Sequence, residues 1–67
     1  MIWIIVKYAD GTGATAASSA PDARSTLDLM GMFFAENPDK AFHDGACVTE
    51  IKAIDPQNPS DYAEIRF

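Results

Sequence analysis

The sequence predicts an α+β fold of order β-β-α-β-β, with one helix packed on a small antiparallel sheet. Three observations predict it. "MIWIIVKY", "CVTEIKAI" and "YAEIRF" have the period-two spacing of strands. The stretch from Ser19 to Glu36 instead repeats apolar residues at spacings of three and four, which is helical. Turn residues separate these segments at Asp10-Gly11, Asn37-Pro38 and "DPQNPSD". With 67 residues the chain forms one small domain with little room for a deep core. At this size burial and chain entropy nearly cancel, so idealised packing, a staple or a partner subunit helps.

In the first strand Ile2, Ile4, Val6 and Tyr8 alternate with Trp3, Ile5 and Lys7. Both faces are apolar at its start, which marks a central strand. Asp10-Gly11 is a two-residue turn signal, because glycine tolerates the positive φ of hairpin turns. A light, alanine-rich return strand follows over roughly residues 12–18. Ser19, Pro21 and Asp22 then signal a helix start, with Ser19 as cap and Asp22 at the positive end of the dipole. The helix runs to about Glu36, where Asn37-Pro38 stops it. Ala20, Ala23, Leu27, Met30 and Phe34 form the stripe that faces the sheet. Residues 37–46 form a loop. The third strand sets Cys47, Thr49, Ile51 and Ala53 against Val48, Glu50, Lys52 and Ile54. After a proline-punctuated loop, the last strand turns Ala63, Ile65 and Phe67 inward and Tyr62, Glu64 and Arg66 outward. The strand order second-first-third-fourth makes all neighbours antiparallel.

Gly11-x-Gly13-x-x-Ala16 follows a strand, as a dinucleotide-binding loop does. That function requires a helix to open within the glycines, so that its N–H groups meet the pyrophosphate. A helix begun near Gly13 would meet Pro21 two turns later and lose a hydrogen bond there. The stretch is therefore a hairpin, and no cofactor is expected. His43 and Cys47 lie four apart, but a reactive thiolate needs a base or a positive setting. The expectation is a small core thiol at Cys47 and a solvated His43, not a catalytic pair. Asp39, His43, Asp44 and Cys47 lack the four soft ligands of structural zinc, so no metal is expected either.

Ten acids against five bases give a net charge of −5, which ordinary solubility of a small domain already accounts for and which a negative face competing for a nucleic-acid-binding site would also use. Phosphate backbones repel such a surface, so direct nucleic-acid binding is disfavoured, while a basic protein surface would attract it. The longest apolar run, Met1 to Val6, is far short of the ~20 residues that cross a bilayer. It also makes a poor signal peptide, having no preceding positive charge. A single cysteine excludes an internal disulfide and suits a reducing compartment. The expectation is a cytoplasmic protein without membrane contact. A strand beginning at Met1 suggests a complete short gene product.

Leu29, Met32 and Phe33 fall off the inward stripe, an apolar patch among Asp22, Ser25 and Glu36. Either the 37–46 loop covers it through Phe42, or it is a self-association or partner surface. Trp3 and Ile5 pose the same question, since one helix cannot cover both faces of a sheet.

The compact acidic chain opening on "MIWIIVKY", the passage "ATAASSAPDARSTL" and the closing strands "CVTEIKAI" and "YAEIRF" resemble the small phage-encoded anti-CRISPR proteins. The resemblance spans most of the chain as a pattern of elements. It implies a non-enzymatic inhibitor that binds a type I CRISPR effector subunit at a basic site that reads target DNA. Those proteins share no motif, so no residue is carried over. The candidate partner-binding residues come from charge and pattern alone: Glu36, Asp39, Asp44, Asp55 and Asp61 to meet lysines and arginines, and Phe33 and Tyr62 as apolar anchors. The alternative is a small homodimeric structural or assembly module, without nucleic-acid mimicry, whose apolar faces pair.

Overall fold

The structure is a computed structural model that describes all residues, Met1–Phe67. One helix, α1 (Ala23–Glu36), lies on an antiparallel sheet of five strands: β1 (Ile2–Tyr8), β2 (Gly13–Ser18), β3 (Phe42–His43), β4 (Ala46–Asp55) and β5 (Asn58–Arg66). The sheet runs β2-β1-β4, with β5 on the far side of β4 and the short β3 paired to the start of β4. The expected order of the four main strands therefore holds, and β3 is an addition.

β1 is central because both of its edges pair. Ile2, Ile4 and Val6 point to one face, where Ala23 and Leu27 of α1 meet them together with Val48, Ile51 and Ala53 of β4. Met30, Phe34, Ala63 and Ile65 pack around this cluster. The inward stripe of the helix is thus as its spacing predicts, except that Ala20 precedes the helix. Thr26 is buried as well; its hydroxyl donates to the Asp22 carbonyl at 3.0 Å, which satisfies it inside the helix.

Four expectations are corrected. The helix begins three residues late, with Asp22 rather than Ser19 as its cap: the Ser25 N–H donates to Asp22 Oδ1 at 2.7 Å. Asp10-Gly11 does not form a two-residue turn. Tyr8 pairs with Thr12 across Ala9, Asp10 and Gly11, and Gly11 takes φ 87°. This is the three-residue hairpin loop that ends on a left-handed glycine. The 37–46 loop contains a 3-10 turn (Pro38–Ala41) and a tight hairpin, β3 to β4, closed by Asp44 (φ 51°) and Gly45 (φ 83°). The last strand starts at Asn58, so its hairpin needs only Pro56 and Gln57. Pro59 is tolerated because β5 is an edge strand and its register against β4 breaks between Ile54 and Asp55.

A bulge corrects the inward set of β4. Lys7 stands opposite Glu50, yet Tyr8 stands opposite Val48, which leaves Thr49 as the extra residue. The bulge inverts the alternation before it. Val48 is buried, and Cys47 is exposed rather than a core thiol. Phe67, expected inward, is exposed at the end of β5.

Candidate functional site

The helix covers one face of the sheet and nothing covers the other. Register places three rows of that bare face directly across the four strands. Ala17, Trp3, Ile54 and Tyr62 form an apolar row. Thr15, Ile5, Lys52 and Glu64 form the next, followed by Gly13, Lys7, Glu50 and Arg66. In the last row Glu50 sits between three cations: Lys52 Nζ at 3.3 Å, Arg66 Nε at 3.9 Å and Lys7 Nζ at 4.0 Å. Partial burial works to raise the Glu50 pKa, but the hydrogen bond and charge of Lys52, with the charges of Lys7 and Arg66, hold it below its ordinary value. The same hydrogen bond and charge of Glu50 push Lys52 up. Tyr62 is pushed up by desolvation and by its hydroxyl donating to Glu64 at 3.0 Å. This face therefore balances its own charges, and the acid excess of the molecule lies elsewhere.

On the outer side of α1, Leu29, Met32 and Phe33 are 55%, 60% and 44% exposed. The 37–46 segment does not fold over them. Its Phe42 joins Phe34, Ala41, Cys47, Val48 and Phe67 around a small apolar cleft of about 140 Å³. Leu29, Met32, Phe33 and Glu36 follow the i, i+3, i+4, i+7 rule of a helix face laid against a partner. Asp39 and Lys40 follow in the 3-10 turn. Phe33 also meets Phe34 edge-on at 5.5 Å between centroids, which fixes its ring at the border of core and solvent.

The sequence-derived partner residues separate into two groups. Phe33, Glu36, Asp39 and Asp44 fall in α1 and the segment that follows it, up to the β3–β4 turn. Asp55, Asp61 and Tyr62 lie in and beside the β4–β5 hairpin. Two of these acids already have structural hydrogen bonds. Asp61 Oδ1 accepts from the Ala23 N–H at 3.1 Å, joining Asp22 at the helix N-terminus, and Asp55 Oδ1 accepts from the Gln57 N–H at 2.9 Å in the hairpin turn. The apolar row is not visible as a row in the sequence, because cross-strand neighbours depend on register. The apolar second face of the first strand was its only signal.

The β3–β4 hairpin also settles the geometry of His43 and Cys47. Phe42 pairs with Cys47 and His43 with Ala46, so the two side chains point to opposite faces of the hairpin. His43 instead lies 5.4 Å from the Tyr8 ring and 3.6 Å from the Asp44 carboxylate. No three His, Cys, Asp or Glu side chains are gathered where they could hold a metal ion. The glycines at 11 and 13 lead into a strand and not a helix, so no helix N-terminus stands at that loop to meet a phosphate. No helix is long and apolar enough to cross a membrane.

Together these features define a class: an α+β domain with one helix on a five-stranded antiparallel sheet, whose uncovered surfaces are an apolar helix face and a bare sheet face. No protein family, curated protein or solved structure matches this chain.

Proposed function

We propose that the protein is a non-enzymatic, stoichiometric inhibitor that lays the outer face of α1 on a basic protein surface. The observation that carries this reading is the uncovered stripe of Leu29, Met32 and Phe33, continued by the acids Glu36 and Asp39. Large apolar side chains supply the desolvated centre of an interface, and acids at its rim select lysines and arginines. Asp44, in the β3–β4 turn beside His43, adds with Asp55 and Asp61 to the long-range field rather than to the contact.

The resemblance to small phage-encoded anti-CRISPR proteins makes a type I CRISPR effector subunit the partner, and its DNA-binding groove the surface occluded. A chain of net charge −5 is drawn to such a groove for the reason that DNA is, and is itself repelled by nucleic acid. On this reading the protein uses no cofactor and acts in the cytoplasm. A second reading, the homodimeric assembly module, is favoured by the apolar row of Trp3, Ile54 and Tyr62 on the bare face.

The test is a competition between the protein and labelled target duplex for a purified type I effector complex, at low and high salt. Binding should displace the duplex and weaken steeply with salt. Phe33→Asp, and separately the pair Glu36→Lys with Asp39→Lys, should each weaken it at least about tenfold while the circular dichroism spectrum is unchanged. No displacement, or displacement indifferent to salt and to these variants, would overturn the proposal.

A further inference from the structure

The two edges of the sheet are built differently. The β5 edge carries Pro59, which has no N–H, a register break at Ile54/Asp55, and the charges Asp61, Glu64 and Arg66. These are the devices that keep an edge from pairing with another strand. The β2 edge has none of them. Its ladder with β1 is unbroken from Ile2↔Ser18 to Lys7↔Gly13, and no charged residue or bulge occurs between Gly11 and Pro21. All of β2 except Ser18 is exposed, because α1 packs over β1, β4 and β5.

The free hydrogen-bonding groups of this edge can be assigned. The Tyr8 N–H donates to the Thr12 carbonyl at 2.9 Å, and the β1–β2 register continues from that pair. Antiparallel pairs alternate between hydrogen-bonded and open, so Ala14, Ala16 and Ser18 bond inward to β1. Gly13, Thr15 and Ala17 turn their N–H and C=O groups outward with no strand to meet them.

We infer that β2 is a self-pairing edge whose partner is β2 of a second copy, antiparallel and centred on Thr15. That register sets Thr15 opposite Thr15 of the second copy, and Gly13 opposite Ala17 of the second copy. Every outward group then meets an outward group. On the helix side Ala14 meets Ala16 of the second copy, and alanines obstruct nothing there. The two-fold axis stands perpendicular to the sheet. Both helices therefore lie on one side, and both bare faces join into one surface. Charge favours this partner: two chains of net charge −5 repel over most of their surfaces, and the uncharged stretch from Gly11 to Pro21 is where they can approach. One strand pair covers less than the roughly 1,200 Å² of a standard interface. A dimer held by this one strand pair is a weak one that dissociates on dilution.

Sedimentation of the full chain from about 1 µM to about 500 µM tests this. The wild type should pass from monomer to dimer. Thr15→Pro removes an N–H that only the second copy uses, and an edge strand tolerates it. Thr15→Lys sets two cations face to face at the axis while leaving both chains' own ladders intact. Each variant should stay monomeric at every concentration, with the wild-type circular dichroism spectrum; if the proline variant unfolds, the lysine variant decides. A wild type that is monomeric throughout overturns the inference, and so does a dimer that survives Thr15→Lys. A dimer lost with Phe33→Asp but kept in Thr15→Lys would assign association to the helix face instead.

Discussion

At the scale of single residues, the acids divide by what the fold does with them. Asp22 caps α1, and the N–H and hydroxyl of Ser25 hold its pKa below the ordinary aspartate value. Asp10 is lowered in the same way by the hydroxyl and N–H of Thr12, at 2.6 and 3.0 Å, and ties the β1–β2 loop. A carboxylate whose folded pKa lies below its unfolded one adds stability above the unfolded pKa. That stability is lost as pH falls through the folded value. Acid should therefore weaken the helix start and the first hairpin below about pH 4. Asparagine caps a helix about as well as aspartate but does not titrate. Asp22→Asn should leave the fold intact at neutral pH and flatten the fall of Tm between about pH 5 and about pH 2. Thermal melts of wild type and variant across that range check this; parallel curves would show that the Asp22 charge contributes nothing.

At the scale of elements, the hairpins depend on left-handed residues that the strands cannot supply. Gly45 takes φ 83°, and a Cβ there would meet no atom within 4 Å, so any cost of substitution is conformational alone. Gly45→Ala should destabilise the domain by about 1 kcal/mol, and Gly45→Asn by less, because asparagine visits this region more readily. Urea denaturation separates the two, and an alanine variant as stable as wild type would contradict the argument. The same turn shows what was legible in the sequence. Asp-Gly is the strongest short hairpin signal where long alternating strands flank it, but β3 has only Phe42 and His43 to announce it, so the segment reads as a loop. The helix stripe from Ala23 to Phe34 was legible because every spacing agrees with one period. The burial of Val48 in place of Cys47 was not, since one extra residue at Thr49 inverts the alternation and leaves each half still looking like a strand. Pro59 read as a loop residue because proline interrupts a ladder, and only an edge position beside a register break excuses it. The candidate site was legible in part for the same reason: Leu29, Met32 and Phe33 share one helical period, whereas Trp3, Ile54 and Tyr62 come together only through register.

At the scale of the whole molecule, a layer of one helix on one sheet, about 17 Å through its thinnest direction, leaves several surfaces for association, and Trp3 distinguishes them. It is the only tryptophan, 44% exposed in the apolar row of the bare face, between Ala17 and Ile54. A partner docked on the outer side of α1 is separated from it by the sheet itself. A second copy paired through β2 adds its strand beyond Ala17 and leaves the Trp3 ring uncovered above the sheet. Only a partner seated on the bare face removes water from the indole. If the inhibitor reading is right, saturating the protein with its effector subunit should leave the Trp3 component of the emission at its free wavelength and equally open to acrylamide quenching. The sample should carry a tryptophan-free partner or an isotope-edited tryptophan signal, so that Trp3 alone is followed. The same constancy should hold on dilution across the monomer–dimer range. A blue shift with loss of quenching on partner binding would move the docking surface from Leu29, Met32 and Phe33 to the row of Trp3, Ile54 and Tyr62. A blue shift that instead follows protein concentration, with no partner present, would show that two bare faces stack on each other. That packing uses none of the outward groups of Gly13, Thr15 and Ala17, so it would survive Thr15→Pro, which removes only an edge N–H and adds no charge to the face, and be broken by a charge at Trp3.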